Sequence, residues 1–528
     1  MNRLKPWETE SQAGDNRSMR VLLVYPLFPK SILSFDKTME LIGKKVYSPP
    51  LGLITAAAIL PQEWEFKLVD RNIREITEAE WAWAEFVMLS AMIVQKVDFH
   101  AKIIEAKRRG KAVAVGGPYP TAYPQQAEKG GAHYLVLDEG EMTIPMFLAA
   151  LERGENTGVF RSTEKPDITQ TPIPRYDLLE LDAYYEMCVQ FSRGCPFFCE
   201  FCDIITLYGR KPRTKNPIQI IRELEYLYEL GWRGAVFMVD DNFIGNKRNV
   251  KVFLKALKIW IAEKNYPFFF FTEASVNLAK DLELIALMRA CNFRHVFLGL
   301  ETPDQDSLIL TKKPQNINFP LRESVKTIHE AGLEISAGFI IGFDQEKPGA
   351  GERIVQFVEE TDIPLAFFSM LQVLPNTALW HRLEKADRLL NQSGDINQST
   401  LMNFIPTRPI EEIAHEYVEA FWQVYEPHKY LNRCFRHLIK LKPVKHGSSI
   451  EFNWKTFKML VRLFWQQGFV YKTRWAFWRY LFKIARFNSS LIVPYLSHCA
   501  VMNHVVEYRQ IVRNQISSQL ADYHSSDN

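Results

Sequence analysis

Cysteine is scarce in this chain and unevenly spread: residues 1–187 contain none, and the seven present stand at 188, 195, 199, 202, 291, 434 and 499. An odd number with one tight cluster excludes the even, dispersed spacing of a secreted disulfide framework and implies a reducing compartment. Long apolar runs are missing as well. Nothing approaches the roughly 20 residues of a spanning helix, and the opening MNRLKPWETESQAGDNRSM has no apolar h-region, so neither a signal peptide nor an anchor is expected. These absences imply a cytoplasmic protein, peripheral at most to the inner face of a membrane. Internal repeats and low-complexity tracts are lacking too. Acids become rare in one region only: from Pro427 to Val506 there is a single one, Glu451, against fourteen Lys and Arg.

What is present organises into blocks. With 528 residues, 47% of them hydrophobic, the chain is too long for one core and implies two or three domains. Residues 1–18 read as a disordered tail. Over 19–154 short apolar runs (VLLVYP, EFKLVD, EFVMLSAM, AVAVGG, HYLVLDEGE) alternate with helical stretches, the pattern of a doubly wound, Rossmann-like α/β domain. Residues 155–184 are polar, proline-dotted and non-periodic, and read as a linker. Alternation resumes over 185–385 with six strand–helix units, which fits a partial (β/α)6 barrel with its chemistry at the strands' C-terminal ends. Residues 386–528 read as a helical, basic and aromatic domain.

The loop SRGCPFFCEFCDI, residues 192–204, follows the first strand of the barrel block and spaces Cys195, Cys199 and Cys202 as C-x3-C-x2-C. Three thiolates on one loop can surround one soft metal centre. Structural zinc takes four protein ligands and would need a distant His or Cys, whereas a cubane cluster held by three keeps one iron open for an exogenous ligand. Buried, inert cysteine suits Cys291, Cys434 and Cys499 better than a segment holding Gly194, Pro196 and charged neighbours. The ligand count favours the cluster.

RGCPFFCEFC at the mouth of a six-unit barrel resembles the radical S-adenosylmethionine (SAM) superfamily. The resemblance implies that Cys195, Cys199 and Cys202 ligate a [4Fe-4S] cluster whose fourth iron is chelated by SAM. It further implies SAM contacts from Phe201, which precedes the last cysteine, and from Asp240, Asp241 and Asn242 in VDDN at the end of the second strand. Glu273 in FTEAS and Glu301 in GLET end the third and fourth strands, and Gly338 and Gly342 in GFIIGF lie where backbone approaches adenine. VDDN departs from the Gly-Gly-Glu common in the superfamily. No residue is singled out as a catalytic acid or base.

AVAVGGPYPT in the first block ends a strand in Gly116 and Gly117, and VLDEGE carries Glu139 and Gly140 at the next strand end. Ahead of a radical SAM core, this block resembles the cobalamin-binding domain of one large subclass. The family's Asp-x-His-x-x-Gly reads DRNIRE here, with Asn72 at the cobalt-ligating histidine's position, so no protein histidine on cobalt is expected; the resemblance implies cobalamin contacts from Asn72, Ser90, Gly116, Gly117, Glu139 and Gly140, with LSAMIVQ under the corrin face. The absence of cysteine from 1–187 excludes the second cluster of the methylthiotransferases. The resemblance therefore implies radical C-methylation: one SAM charges cobalamin with methyl, and a second is cleaved to a radical that removes hydrogen from an unactivated carbon.

The C-terminal block interleaves its cations with Trp454, Phe457, Phe464, Trp465, Trp475, Phe477, Trp478 and Phe482. Lys455, Lys458 and Arg462 share one helical face, as do Lys472, Arg479, Lys483 and Arg486. Such helices suit an anionic membrane surface, an RNA, or a cap docked on the barrel. The layout is similar to the hopanoid C-2 methylase group, which implies an apolar, membrane-lipid substrate, an external one-electron reductant and peripheral membrane contact rather than nucleic acid. Two alternatives remain at this point: a cyclase or rearrangement enzyme of the same class, and a non-catalytic iron–sulfur sensor binding nucleic acid.

Overall fold

The computed structural model describes residues 18–310, 313–390, 396–442 and 454–526. All of the tail read over 1–18 except Ser18 lies outside them, as do Glu451 and the side chain of Lys455. Two parallel sheets carry the molecule. The first orders its six strands β2-β1-β3-β4-β5-β6, with β1 at Arg20–Tyr25, β2 at Glu65–Asp70, β3 at Phe86–Ser90, β4 at Ala112–Gly116, β5 at Tyr134–Val136 and β6 at Gly158–Phe160. Val21 to Val24 of β1 are fully buried on both faces because helices cover both sides, as a parallel sheet requires. The order reverses between β1 and β3, and a crevice opens there at the strands' C-terminal ends.

The second sheet runs β7-β10-β11-β12-β13-β14: Glu186–Val189, Gly234–Met238, Phe268–Ala274, Phe293–Glu301, Glu334–Ile341 and Leu365–Met370. These are the six barrel strands expected from sequence. A short antiparallel pair, β8 (Ser192–Arg193) with β9 (Arg213–Thr214), brackets the cysteine loop. Alternation along the strands divides the inner and outer faces. Phe268 and Phe270 pack outward with Trp260, while on the inner face Phe271 stacks on Phe237 at 4.7 Å and Phe297 meets Phe367 at 6.0 Å.

A six-strand partial barrel leaves a gap between β7 and β14, and residues 32–48 close it. Phe35 meets Phe367 at 6.4 Å, Tyr47 stacks on Tyr185 at 5.2 Å, and Ser48 Oγ donates to Glu186 at 2.5 Å. The C-terminal helix Ile492–Ser526 seals the seam, His504 lying 5.5 Å from Phe35. Thus Ile32, Phe35, Met39 and Leu41 belong to the barrel's core although their neighbours build the first sheet. The stretch expected as linker likewise begins inside that sheet, through β6.

Glu186 is fully buried, its Oε2 has no hydrogen-bond partner among the described residues, and burial holds its pKa well above the usual carboxylate range. A carboxyl whose pKa rises on folding stabilises fully below its unfolded pKa and progressively less as pH climbs through the folded one. Glu186→Gln removes that loss. Between pH 5 and 8 the variant's stability relative to wild type is expected to grow, by up to about 1.4 kcal/mol per pH unit, read from denaturation midpoints across that range.

Candidate active site

The cysteine loop is shaped by the end of β10. Asp240, fully buried, accepts the backbone N–H groups of Phe191, at 3.2 Å, and Ser192, drawing the chain sharply out of β7. Asp241 accepts the N–H of Gly194 at 3.4 Å. Gly194 has φ +92°, and a Cβ there would stand 2.7 Å from the carbonyl oxygen of Gly209, so only glycine fits. Burial pushes Asp240 up to about 7 and Asp241 to about 6. Both carboxylates are expected as SAM contacts from the sequence; in the structure Asp240 is bonded to two backbone amides.

Cys195, Cys199 and Cys202 are partly exposed, whereas the other four cysteines are buried. Among the described residues no three His, Cys, Asp or Glu side chains converge on one ion-sized point. A cubane takes each thiolate on a different iron and so suits sulfurs spread around a loop. Two amides aim at them: Asn242 Nδ2 lies 3.8 Å from Cys195 Sγ, and Gln315 Nε2 lies 3.5 Å from Cys199 Sγ. Donors of this kind tune a cluster's sulfurs. Burial raises the free Cys199 thiol, and Lys313 opposes that shift.

Lys313 is buried and bonds Glu301 and the carbonyl of Gly299, the latter at 2.8 Å. Its ammonium also sits 6.0 Å from the Phe201 ring, which lies 6.0 Å from Phe343. Glu301, at φ +62°, therefore spends its carboxylate on Lys313. Glu273 differs: among the described residues nothing donates to it, and burial with Asp241, Asp240 and Glu301 nearby pushes it up to about 7. Gly338 faces the inner wall, where a Cβ would meet Phe297 at 2.8 Å. Gly342, at φ +101°, packs toward Met402 and donates its N–H to Glu346 at 2.7 Å. Lys313 and Gln315 escaped the sequence reading. A KKPQN run after GLET was the available sign.

A cavity of about 470 Å³ lies between the crevice of the first sheet and the barrel. Ser90, Gly116, Gly117, Glu139 and Gly140 line it, opposite Gln190, Arg193 and Tyr208 of the barrel side. The glycines are obligatory: a Cβ on Gly117, at φ +93°, would stand 2.5 Å from Ser90 Oγ, and one on Gly116 would stand 2.8 Å from the carbonyl oxygen of Val136. A broad planar ligand fits against that bare backbone, and Leu89 to Met92 of the LSAMIVQ stretch border it. Asn72 is a correction. It lies outside the cavity and ties loops together, accepting from Phe28 N at 2.8 Å and donating to Asp70 at 2.7 Å. The reason is positional, since β2 is the sheet's edge strand and the crevice opens on the far side of β1.

Glu139 also carries a duty that the sequence did not reveal. Its carboxylate is held by Arg193 and Arg213, each at 2.8 Å, and Arg193 also reaches Glu141 at 2.8 Å. Both arginines bracket the cysteine loop on β8 and β9, so a buried ionic junction joins the two domains beside the cluster site.

Comparisons with known proteins agree with this architecture. The sequence pattern of the B12 binding domain matches residues 44–148, that of the Radical SAM superfamily residues 189–358, and a domain of unknown function (DUF4070) residues 377–518. Among solved structures, the radical SAM methyltransferase TsrM from Kitasatospora setae superposes with a TM-score of 0.62 at 16% identity, covering 84% of this chain and 98% of its own. The cobalamin-dependent radical SAM enzyme OxsB gives 0.59 at 14%, covering 96% and 84%. The fold is therefore that of a radical SAM enzyme with an N-terminal cobalamin domain. An uncharacterized methyltransferase of Synechocystis sp. is 61% identical over 96% of this chain and 95% of its own length. The hopanoid C-2 methylase of Rhodopseudomonas palustris is 35% identical over 93% and 94%. The chain belongs to the cobalamin-dependent radical SAM methyltransferase family, whose cofactors are a [4Fe-4S] cluster, SAM and cobalamin. Among the described residues no helix is long and apolar enough to cross a membrane.

Proposed function

We propose that this enzyme methylates an unactivated carbon of an apolar, polycyclic lipid of the hopanoid kind, meeting it at an anionic membrane. The aromatic inner wall of the barrel carries this reading. Phe237, Phe271, Phe297 and Phe367 pave it, and Glu273 is its unpaired acid among the described residues. Such a wall suits a rigid hydrocarbon through apolar burial and excludes the water that would quench a radical. The 35% identity to a hopanoid C-2 methylase across nearly the whole chain supports the same substrate class. Ring-closing chemistry has weaker support, from an anaerobic magnesium-protoporphyrin IX monomethyl ester cyclase at 21% identity over 62% of the chain.

In this reading Cys195, Cys199 and Cys202 hold the cluster, with Asn242 and Gln315 donating to its sulfurs. Phe201, Glu273, Gly338 and the Glu301–Lys313 pair surround SAM, while Gly342, Asp240 and Asp241 shape the walls. Ser90, Gly116, Gly117 and Gly140 bear the corrin. When bound, these cofactors supply an electron from an external donor, a hydrogen-abstracting radical and the methyl group. The test is anaerobic turnover with a pentacyclic triterpenoid hydrocarbon, dithionite and SAM, followed by mass spectrometry. Gain of one methylene's mass supports the substrate; SAM cleavage without any change in the triterpenoid refutes it.

No histidine lines the cavity among the described residues. Electron paramagnetic resonance of the cob(II)alamin form is therefore expected to show no nitrogen superhyperfine splitting, with the benzimidazole displaced. Splitting from a protein nitrogen would contradict the placement of Leu89–Met92 beneath the corrin.

A further inference from the structure

We propose that the outer faces of the helices Trp454–Trp465 and Arg474–Phe487, with the π-helical turn Gln466–Val470 between them, form a docking surface for an anionic lipid bilayer. This deepens the substrate reading above and rests on it only for the identity of the cargo.

Both helices are already seated by their other sides, through Leu463, Phe477, Leu481 and Ile484, which are buried. Their outward sides still carry large exposed rings. Trp454, Phe457, Val461 and Trp465 recur at three- and four-residue steps, which places them on one face, and all are exposed. From there a ladder of rings continues: Trp465 to Phe469 at 5.5 Å, Phe469 to Trp478 at 6.2 Å, Trp478 to Phe482 at 5.9 Å. Trp475, 75% exposed, stands beside it. Single exposed apolar residues are ordinary, but a continuous aromatic ridge marks an interaction site.

Charge selects the partner. From Trp454 to Val506 there is no acid at all against eight Lys and Arg. Arg462 pairs with Glu40 at 3.0 Å. Lys472, Arg474, Arg479, Lys483 and Arg486 are exposed, and among the described residues none meets a carboxylate. Cations flanking tryptophan and phenylalanine match the headgroup boundary of an anionic bilayer. Nucleic acid would satisfy the cations and stack on the rings, but it offers no apolar phase to Val461 and to the turn tip at Phe469 and Val470, each more than half exposed. The placement also suits delivery. Arg462 binds the helix Asp36–Ile42, part of the segment that closes the gap between β7 and β14. Phe35 of that segment meets Phe367 on the barrel's inner wall, so the docking surface lies next to the barrel seam.

The test is co-sedimentation of the full reconstituted chain with vesicles of phosphatidylcholine alone or mixed with phosphatidylglycerol. Wild type is expected to bind the anionic vesicles and to lose at least tenfold in partitioning at high salt. Two variants, Trp465→Ser/Phe469→Ser/Trp475→Ser/Phe482→Ser and Lys472→Gln/Arg479→Gln/Lys483→Gln/Arg486→Gln, are each expected to lose at least tenfold, with circular dichroism and iron content unchanged. Wild type that ignores anionic vesicles, variants that bind as wild type does, or anionic-vesicle binding abolished by competing RNA would each overturn the proposal. Methylation of a detergent-dispersed triterpenoid keeps the two claims apart: if it persists without vesicle binding, docking fails and the substrate stands, and the reverse result spares docking alone.

Discussion

Cys199→Ala is expected to leave the anaerobically reconstituted enzyme without its cluster, its iron falling from about four per chain to a trace, and to reduce SAM cleavage to background. Two thiolates cannot retain a cubane against exchange, since the open iron already depends on an exogenous ligand. Gln315, whose Nε2 points at Cys199 Sγ from 3.5 Å, would be left facing an apolar methyl. The loop itself should survive, because its shape is set by Asp240 on Phe191 and Ser192 and by Gly194 against Gly209, not by the metal. Corrin binding should survive as well, since Ser90, Gly116 and Gly117 belong to the first sheet. Iron analysis, the cluster's visible absorption and extracted corrinoid, measured on one preparation, check all three. Full iron in the alanine variant would remove Cys199 from the ligand set; loss of corrin together with iron would instead mean that the loop collapsed.

What could be read in the sequence is what depends on neighbours along the chain. The strands were legible because buried parallel strands are short apolar runs, and VLLVYP and PFFFFTEASV became β1 and β11. The grouping of Cys195, Cys199 and Cys202 was legible because all three sit on one loop, and the bare backbone of Gly116–Gly117 because both glycines end one strand. The unread part depends on partners far along the chain. Arg193 meets a glutamate 54 residues earlier, Gln315 meets a cysteine 116 residues earlier, and neither residue type announces such a role. Asn72 was misplaced for a related reason: the motif register set its distance along the chain but not the side of β1 on which the crevice opens. Residues 32–48 lie near β1 in sequence, yet the gap they fill exists only once β7 and β14 fail to pair.

Arg193→Met is expected to destabilise the protein by about 3–5 kcal/mol, the usual cost of stripping one partner from a buried ion pair. Arg193 is 9% exposed and Glu139 5%, so without the guanidinium two carboxylates face each other in the domain junction. Their desolvation is then opposed by Arg213, at 2.8 Å from Glu139, and by the more distant Lys165. The pH dependence has a definite sign. In the wild type Arg193 helps to hold Glu141 below the usual carboxylate range, against burial, which raises it. Without Arg193 burial dominates, the folded-state pKa of Glu141 rises, and stability is lost as pH climbs through it; the defect should be largest at pH 7–8 and shrink toward pH 5, where Glu141 takes up a proton. Adding Glu139→Gln and Glu141→Gln should restore much of the loss at pH 8, because the charges that lacked a partner are gone. Restored stability should not bring back full turnover, since the junction also fixes β8 against β9 and with it the angle at which the cysteine loop faces the first sheet. Denaturant midpoints at pH 5 and 8 for the single and triple variants, with methyl transfer on the triple, check the argument. A single variant as stable as wild type at both pH values would show that Arg213 alone carries the junction.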